Sequence, residues 1–179
     1  MSPERRGSPP PGRGSRRASV LVLLYPRADG ELAFPLVLRG KDLSFHAAQI
    51  GLPGGALEAG ETPEQAALRE ATEEIGADPS AIRILGALSD LFVPVSSYSI
   101  SAFVGYAPAR PRFSPQPGEV ERILESPLEA ILDPGNRACE TRLLHGADAR
   151  VPYFRICGEK VWGATAMILA ELAAALATR

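Results

Sequence analysis

The sequence predicts an α+β fold or a layered α/β/α sandwich. Three observations predict it. Short apolar runs containing β-branched residues, such as Ser19–Tyr25, mix with helical segments without the strict βαβα alternation of a doubly wound sheet. The segment Glu61–Gly76 carries a complete set of helix start and stop signals. An Ala- and Leu-rich segment, Ala164–Thr178, reads as a second long helix closing the chain.

The first seventeen residues, MSPERRGSPPPGRGSRR, are dominated by Pro, Gly, Ser and Arg. Such a stretch has too little apolar surface to order itself, so residues 1–17 are expected to be a flexible tail and residues 18–179 the domain. A twin-arginine export signal would need a longer apolar segment after Arg16 and Arg17 than Val20–Leu24, which runs into Tyr25-Pro26. A mitochondrial transit helix would be broken by Pro9, Pro10 and Pro11.

Within the domain, Ser19–Tyr25 and Phe34–Arg39 read as strands joined by the turn signal Arg27-Ala28-Asp29-Gly30, a plausible hairpin. Lys41–Gly55 has mixed polarity and ends in a tight Leu52-Pro53-Gly54-Gly55 turn. Ile82–Phe92 and Tyr98–Ala107 are expected as strands, followed by a Pro-rich loop over Pro108–Pro117. Val120–Ile131 is expected to be partly helical, and Val151–Ile156 to be a late strand.

Bulk properties limit the function. The chain has 179 residues, 45% hydrophobic and 22% charged, with a formal net charge of −2. That balance provides no basic footprint for nucleic acid. No apolar run approaches the ~18 residues that a membrane-spanning helix needs. Cys139 and Cys157 have no metal-ligand spacing, and a reducing, cytoplasmic setting is expected.

The chemistry concentrates on the helix Glu61–Gly76. Thr62 suits the N-cap, Pro63 the first helical position, and Gln65 completes a capping box; Gly76 suits a left-handed end. At about 100° per residue, Glu70, Glu73 and Glu74 fall within an arc of about 100°, while Leu68, Ala71 and Ile75 face the opposite, core side. Carboxylates at such spacing repel one another, and a hard divalent cation such as Mg²⁺ or Mn²⁺ would offset that repulsion. Taken alone, the same cluster is also the pattern of a solvated amphipathic face.

The surrounding residues decide between these readings. Gly55, Glu61, Arg69, Glu70, Glu73, Glu74 and Gly76 match every invariant position of G-x5-E-x7-R-E-U-x-E-E-x-G-U, with Ala71 and Ala77 at its aliphatic positions. Chance yields such a match about once in a million chains of this length. The sequence therefore resembles the Nudix hydrolases. The resemblance implies an α+β fold of Nudix type, an α/β/α sandwich with a mixed sheet, and a Mg²⁺-dependent diphosphatase, with Mn²⁺ as a second candidate metal. Glu70, Glu73, Glu74 and the Gly55 carbonyl would hold metal, and Arg69 would pair with Glu61 to fix the loop–helix junction. A proton acceptor could be a box glutamate or an acid from a distant loop, for which Glu119 is the candidate.

Upstream, Arg39 and the segment His46-Ala47-Ala48-Gln49-Ile50-Gly51-Leu52-Pro53-Gly54-Gly55 resemble the H-x-G-Q-x-x-F-P-G-G region of the coenzyme A diphosphatase branch. Leu91–Ser96 and Val161–Ala166 look like the same branch. That branch implies cleavage of coenzyme A, or an acyl derivative, to 3′,5′-ADP and 4′-phosphopantetheine. Arg39, His46, Gly54 and Gly55 would contact this small-molecule substrate, with no nucleic acid or membrane partner, and a homodimer stays open. Ser44, Ala48 and Leu52 stand where the branch has arginine, glycine and phenylalanine. ADP-ribose, a dinucleotide or a nucleoside triphosphate is the alternative substrate, and a non-catalytic nucleotide-binding regulator is the alternative class. Trp162 reads as a core or helix-entry anchor.

Overall fold

The first apolar run, Ser19–Tyr25, lacks polar alternation because its strand is covered on both faces. The computed structural model describes residues 16–40, 49–94, 96–144 and 146–177. In chain order its elements begin with β1 (Arg16–Pro26), β2 (Leu32–Arg39), β3 (Ile50–Gly51), β4 (Gly54–Ala56) and α1 (Pro63–Ile75). There follow β5 (Arg83–Ala87), β6 (Leu91–Val93), β7 (Tyr98–Tyr106), β8 (Val120–Pro127) and α2 (Glu129–Leu132). The chain ends with β9 (Arg137–Leu144), β10 (Ala147–Ile156), β11 (Glu159–Trp162) and α3 (Gly163–Ala177).

Strand β1 is the axis of the fold. Leu21, Leu23 and Tyr25 point to one side and cluster with Ala67, Ala71 and Ile75 of α1. Val22 and Leu24 point to the other and cluster with Ile168, Leu169 and Leu172 of α3. The result is the expected helix–sheet–helix layering, with a sheet ordered β3-β2-β1-β7-β5. It is mixed: β1 runs parallel to β7 from Arg16↔Tyr98 to Leu24↔Tyr106, and its other pairings are antiparallel.

The free edge of β1 is divided between two partners. Near the turn it pairs with β2 (Tyr25↔Ala33), and at its other end with β4 (Ala18↔Ala56, Val20↔Gly54). This division brings the Gly54–Gly55 backbone against the middle of β1, directly ahead of α1. A second sheet, ordered β11-β10-β9, presents Phe154, Ile156 and Val161 to the α3 side of the core.

The first helix forms as its sequence signals require. Thr62 accepts from the Gln65 N–H while the Gln65 side chain accepts from the Thr62 N–H, and Gly76 adopts the left-handed conformation at φ 69°. Other segments differ from expectation. Strand β1 begins at Arg16, so Arg16 and Arg17 pair with Tyr98 and Ser99 and do not belong to the tail. Residues 1–15 lie outside the described residues.

Ile82–Phe92 is two strands, β5 and β6, because Ser89 and Asp90 take side-chain partners where a ladder would run. The Ser89 N–H and hydroxyl donate to Glu171, and the Ser101 hydroxyl donates to Asp90. Val120–Ile131, expected to be partly helical, is mostly β8, paired with β2 from Ala33↔Pro127 to Arg39↔Val120. Here a buried partner strand outweighs local helix propensity. Strands β9 and β11 escaped the sequence reading because their outer face is charged. Glu140 pairs with Arg142 along β9 and with Lys160 of β11 across the sheet, and the Arg142 guanidinium stacks 4.4 Å from the Trp162 ring centroid.

One polar cluster, buried at Tyr25 and open to solvent at Arg110, ties β1 to β8. Tyr25 is fully buried, and its hydroxyl donates to Glu125 Oε2 at 2.9 Å; Arg110 grips the same carboxylate from Nε and Nη2 at 2.7 and 2.6 Å. Burial, then the Glu125 hydrogen bond, push the Tyr25 hydroxyl far above its ordinary range. A raised acid contributes stability that is whole below the ordinary tyrosine pKa of ~10 and erodes as pH rises above it. Tyr25→Phe is therefore expected to cost about 0.5–1.5 kcal/mol at pH 7, and to flatten the loss of stability between about pH 9 and 11. Urea unfolding across that range checks both. An unchanged alkaline slope would remove Tyr25 from the account.

Candidate active site

The acidic arc of α1 meets the Gly54–Gly55 backbone, and two glycines make the meeting sterically feasible. A Cβ on Gly54 would lie 2.3 Å from the Ser19 carbonyl oxygen and 2.7 Å from Val20 Cα. A Cβ on Gly55 would lie 2.3–2.6 Å from the atoms of the Glu70 carboxylate. Without side chains there, the loop packs between β1 and the helix, and its polar groups face the glutamates.

Glu74 is the most deeply set of them, its side chain 3% exposed. The Gly54 N–H donates to its Oε2 at 2.9 Å, and Arg39 Nη2 lies 3.3 Å from its Oε1. Arg39 also donates to the Gly54 carbonyl at 2.7 Å. It reaches there from the end of β2, where the register with β8 skips one residue between Leu38↔Arg122 and Arg39↔Val120, a bulge that re-aims the side chain. Burial pushes the Glu74 carboxyl up to about 7; Arg39 and the Gly54 N–H oppose that rise, while Glu70 and Glu119 add to it.

Arg69 organises the remaining carboxylates. It grips Glu61 from Nε and Nη2 at 2.9 and 3.1 Å, and its Nη1 lies 2.9 Å from both Glu70 Oε1 and Glu73 Oε2. Nη2 also donates to the Ala56 carbonyl. Glu61 is held below its ordinary carboxyl range by Arg69 and by the Glu58 N–H. Burial, the largest influence on Glu70, raises its carboxyl despite Arg69. Glu73 is the outermost, at 55% exposure. The expected arc thus runs from solvent to core rather than lying on one solvated face.

Glu119 is exposed, yet its loop is docked on the same helix. The Gln116 and Ser114 N–H groups donate to the Glu74 and Ile75 carbonyls at the end of α1. The Gly40 N–H donates to the Glu119 carbonyl at 2.9 Å, and a Cβ on Gly40 would meet the Gly118 carbonyl oxygen at 2.9 Å. Gly40, Gly51 and Thr165 were not singled out from sequence, although all three border Arg39 or its loop. Glycines flanking a strand-end arginine were the available signal. His46, with Ser44 and Ala48, lies outside the described residues.

The donors suit a hard divalent cation in kind: carboxylate and carbonyl oxygens, and a cradle at Gly55 that a Cβ would fill. Among the described residues, no three carboxylate, imidazole or thiolate groups already converge as a metal site. Arg69 and Arg39 are interleaved among the carboxylates instead.

A family model described as NUDIX domain matches residues 15–144. The chain belongs to the NUDIX domain family. It is 36% identical over 165 residues to Nudix hydrolase 15, mitochondrial, of Arabidopsis thaliana, a match covering 88% of this chain and 58% of that one. It is 34% identical over 165 residues to the uncharacterized Nudix hydrolase NudL of Escherichia coli, covering 88% of this chain and 81% of that protein. The chain therefore spans little more than half of the plant relative and most of the bacterial one. Among solved structures, the Nudix hydrolase RenU of M. smegmatis superposes with a TM-score of 0.56 at 23% identity, over 68% of this chain and 78% of that one, a likeness of fold.

The two glycines should respond differently to substitution. Gly55→Ala meets the end of a flexible Glu70 side chain, so the fold should persist while Glu70 is displaced and Mn²⁺ affinity falls. Gly54→Ala meets backbone, which cannot yield, and is expected to cost about 1–3 kcal/mol. Thermal melting with Mn²⁺ titration of both variants checks this. A Gly55→Ala chain with undiminished Mn²⁺ affinity would remove Glu70 from the site.

Proposed function

We propose that this chain is a divalent-cation-dependent hydrolase of the diphosphate bond in a nucleoside diphosphate derivative, with coenzyme A or an acyl-coenzyme A as substrate. The carrying observation is the gathering of Glu70, Glu73 and Glu74 on one arc of a firmly capped helix, against the bare backbone of Gly54 and Gly55.

In this reading Glu70, Glu73, Glu74 and the Gly55 carbonyl hold Mg²⁺, or Mn²⁺ in its place. When bound, the metal neutralises charge on the diphosphate and acidifies the attacking water. Arg69 and Glu61 lock the loop to the helix, so that the carboxylates keep their spacing when substrate arrives. Arg39, His46 and the Gly54–Gly55 backbone contact the substrate. Glu119, on a loop tied to the end of α1, stands close enough to Glu74 for its charge to be felt there, and takes the proton or joins the ligands.

Coenzyme A is favoured by the likeness of the His46–Gly55 segment to the coenzyme A diphosphatase branch. Ser44, Ala48 and Leu52 depart from that segment and favour the second reading, the same hydrolysis applied to ADP-ribose, a dinucleotide or a nucleoside triphosphate. A cytoplasmic setting is part of the proposal, supported by two free, exposed cysteines. Among the described residues no helix is long and apolar enough to cross a membrane.

Incubation with Mg²⁺ and coenzyme A, dephospho-coenzyme A, ADP-ribose, NADH or nucleoside triphosphates, with products identified by mass, tests the substrate. Fastest release of 3′,5′-ADP and phosphopantetheine supports the first reading, and faster cleavage of another compound the second. Glu74→Gln keeps the volume and an acceptor for the Gly54 N–H. It should leave melting nearly unchanged and lower turnover by about 10²-fold or more. Full activity in that variant would overturn the metal assignment.

A further inference from the structure

Arg39 sits on Glu74, the innermost of the carboxylates assigned to the cation. Its Nη2 donates to the Gly54 carbonyl at 2.7 Å and lies 3.3 Å from Glu74 Oε1. A carboxylate oxygen is a donor that a hard divalent ion takes, and both oxygens of Glu74 are engaged, Oε2 by the Gly54 N–H and Oε1 by Arg39. A guanidinium and a divalent ion cannot both rest against the same Glu74 oxygen. In the cation-free chain Arg39 is also needed, because a carboxylate as deeply buried as Glu74 is costly without a positive neighbour.

Arg39 has somewhere else to go. Its side chain is 27% exposed, at the open side of the pair, whereas Glu74 is 3% exposed. Beside it Gly51 carries no side chain. A Cβ placed there would stand at ordinary contact, 3.8 Å from Arg39 Nε and 4.0 Å from the Thr165 hydroxyl, so only the bare backbone of Gly51 separates Arg39 from the start of α3.

We propose that Arg39 is an exchangeable counter-ion: it neutralises Glu74 in the cation-free chain, yields that carboxylate to the divalent ion, and turns over Gly51 to meet an anionic diphosphate. This rests on the metal assignment of the proposed function. It makes Arg39 a positioning residue that opposes metal binding before substrate and favours it afterwards. The two halves of the site would then fill together, since each ligand removes what holds the other off.

Direct Mn²⁺ binding, read by electron paramagnetic resonance of the free ion with no turnover involved, tests it. Arg39→Gln is expected to bind Mn²⁺ about tenfold more tightly than the natural chain, and Arg39→Lys to stay near it, because the competing positive charge is removed or kept. Inorganic pyrophosphate should raise Mn²⁺ affinity in the natural chain and have less effect in Arg39→Gln. Gly51→Val, which adds bulk between Arg39 and Thr165 and leaves Arg39 in place, should also blunt the pyrophosphate effect. It serves should Arg39→Gln not fold. Unchanged or weaker Mn²⁺ binding in a folded Arg39→Gln, with Glu74→Gln still abolishing binding, would overturn the exchange and leave the metal assignment standing. Mn²⁺ binding indifferent to Glu74→Gln would overturn both.

Discussion

The close approach of the Gly54–Gly55 backbone to both β1 and α1 governs this molecule. At position 54 any side chain would collide with the Ser19–Val20 backbone, and at position 55 with the Glu70 carboxylate. Because neither residue has one, the loop closes on the strand, the Gly54 N–H reaches Glu74, and the Gly54 carbonyl reaches Arg39. The loop then enters α1 through a complete capping box, so helix and loop hold each other in register. The acidic arc derives its geometry from that steric permission more than from the helix alone.

Charge is distributed around the same point by depth. Glu61, Glu70, Glu73 and Glu74 share two guanidiniums, Arg69 and Arg39. Arg69 serves the outer three and anchors the loop through Glu61. Arg39 serves the innermost, from the end of strand β2, at a bulge between β2 and β8. A deficit of positive charge is thereby built into a partly buried place, which is the electrostatic condition for taking up a cation.

Much of this was legible in the sequence. Thr62, Pro63, Gln65 and Gly76 mark the ends of α1 by local chemistry that tertiary packing does not override, and the run Ser19–Tyr25 announces a strand covered on both faces. The box spacing identified the family. The parts that were not legible depend on pairing at long range. Val120–Pro127 reads as partly helical until β2 lies beside it, and the strands β9 and β11 look polar until Lys160 is seen to pair with Glu140, and Arg142 to stack on Trp162, between them. The attachment of Arg39 to Glu74 spans two elements distant in sequence, so no spacing rule could reveal it. The same holds for the docking of the Glu119 loop on the end of α1.

Anomalous diffraction from crystals of the chain grown with Mn²⁺ would locate the cation. A peak is expected at the Gly55–α1 junction, with oxygens of Glu70 and Glu74 at roughly the 2.0–2.2 Å typical of a small hard divalent ion, and with Arg39 turned away from Glu74. Peaks confined to surface carboxylates such as Glu140, with Arg39 still on Glu74, would contradict that placement.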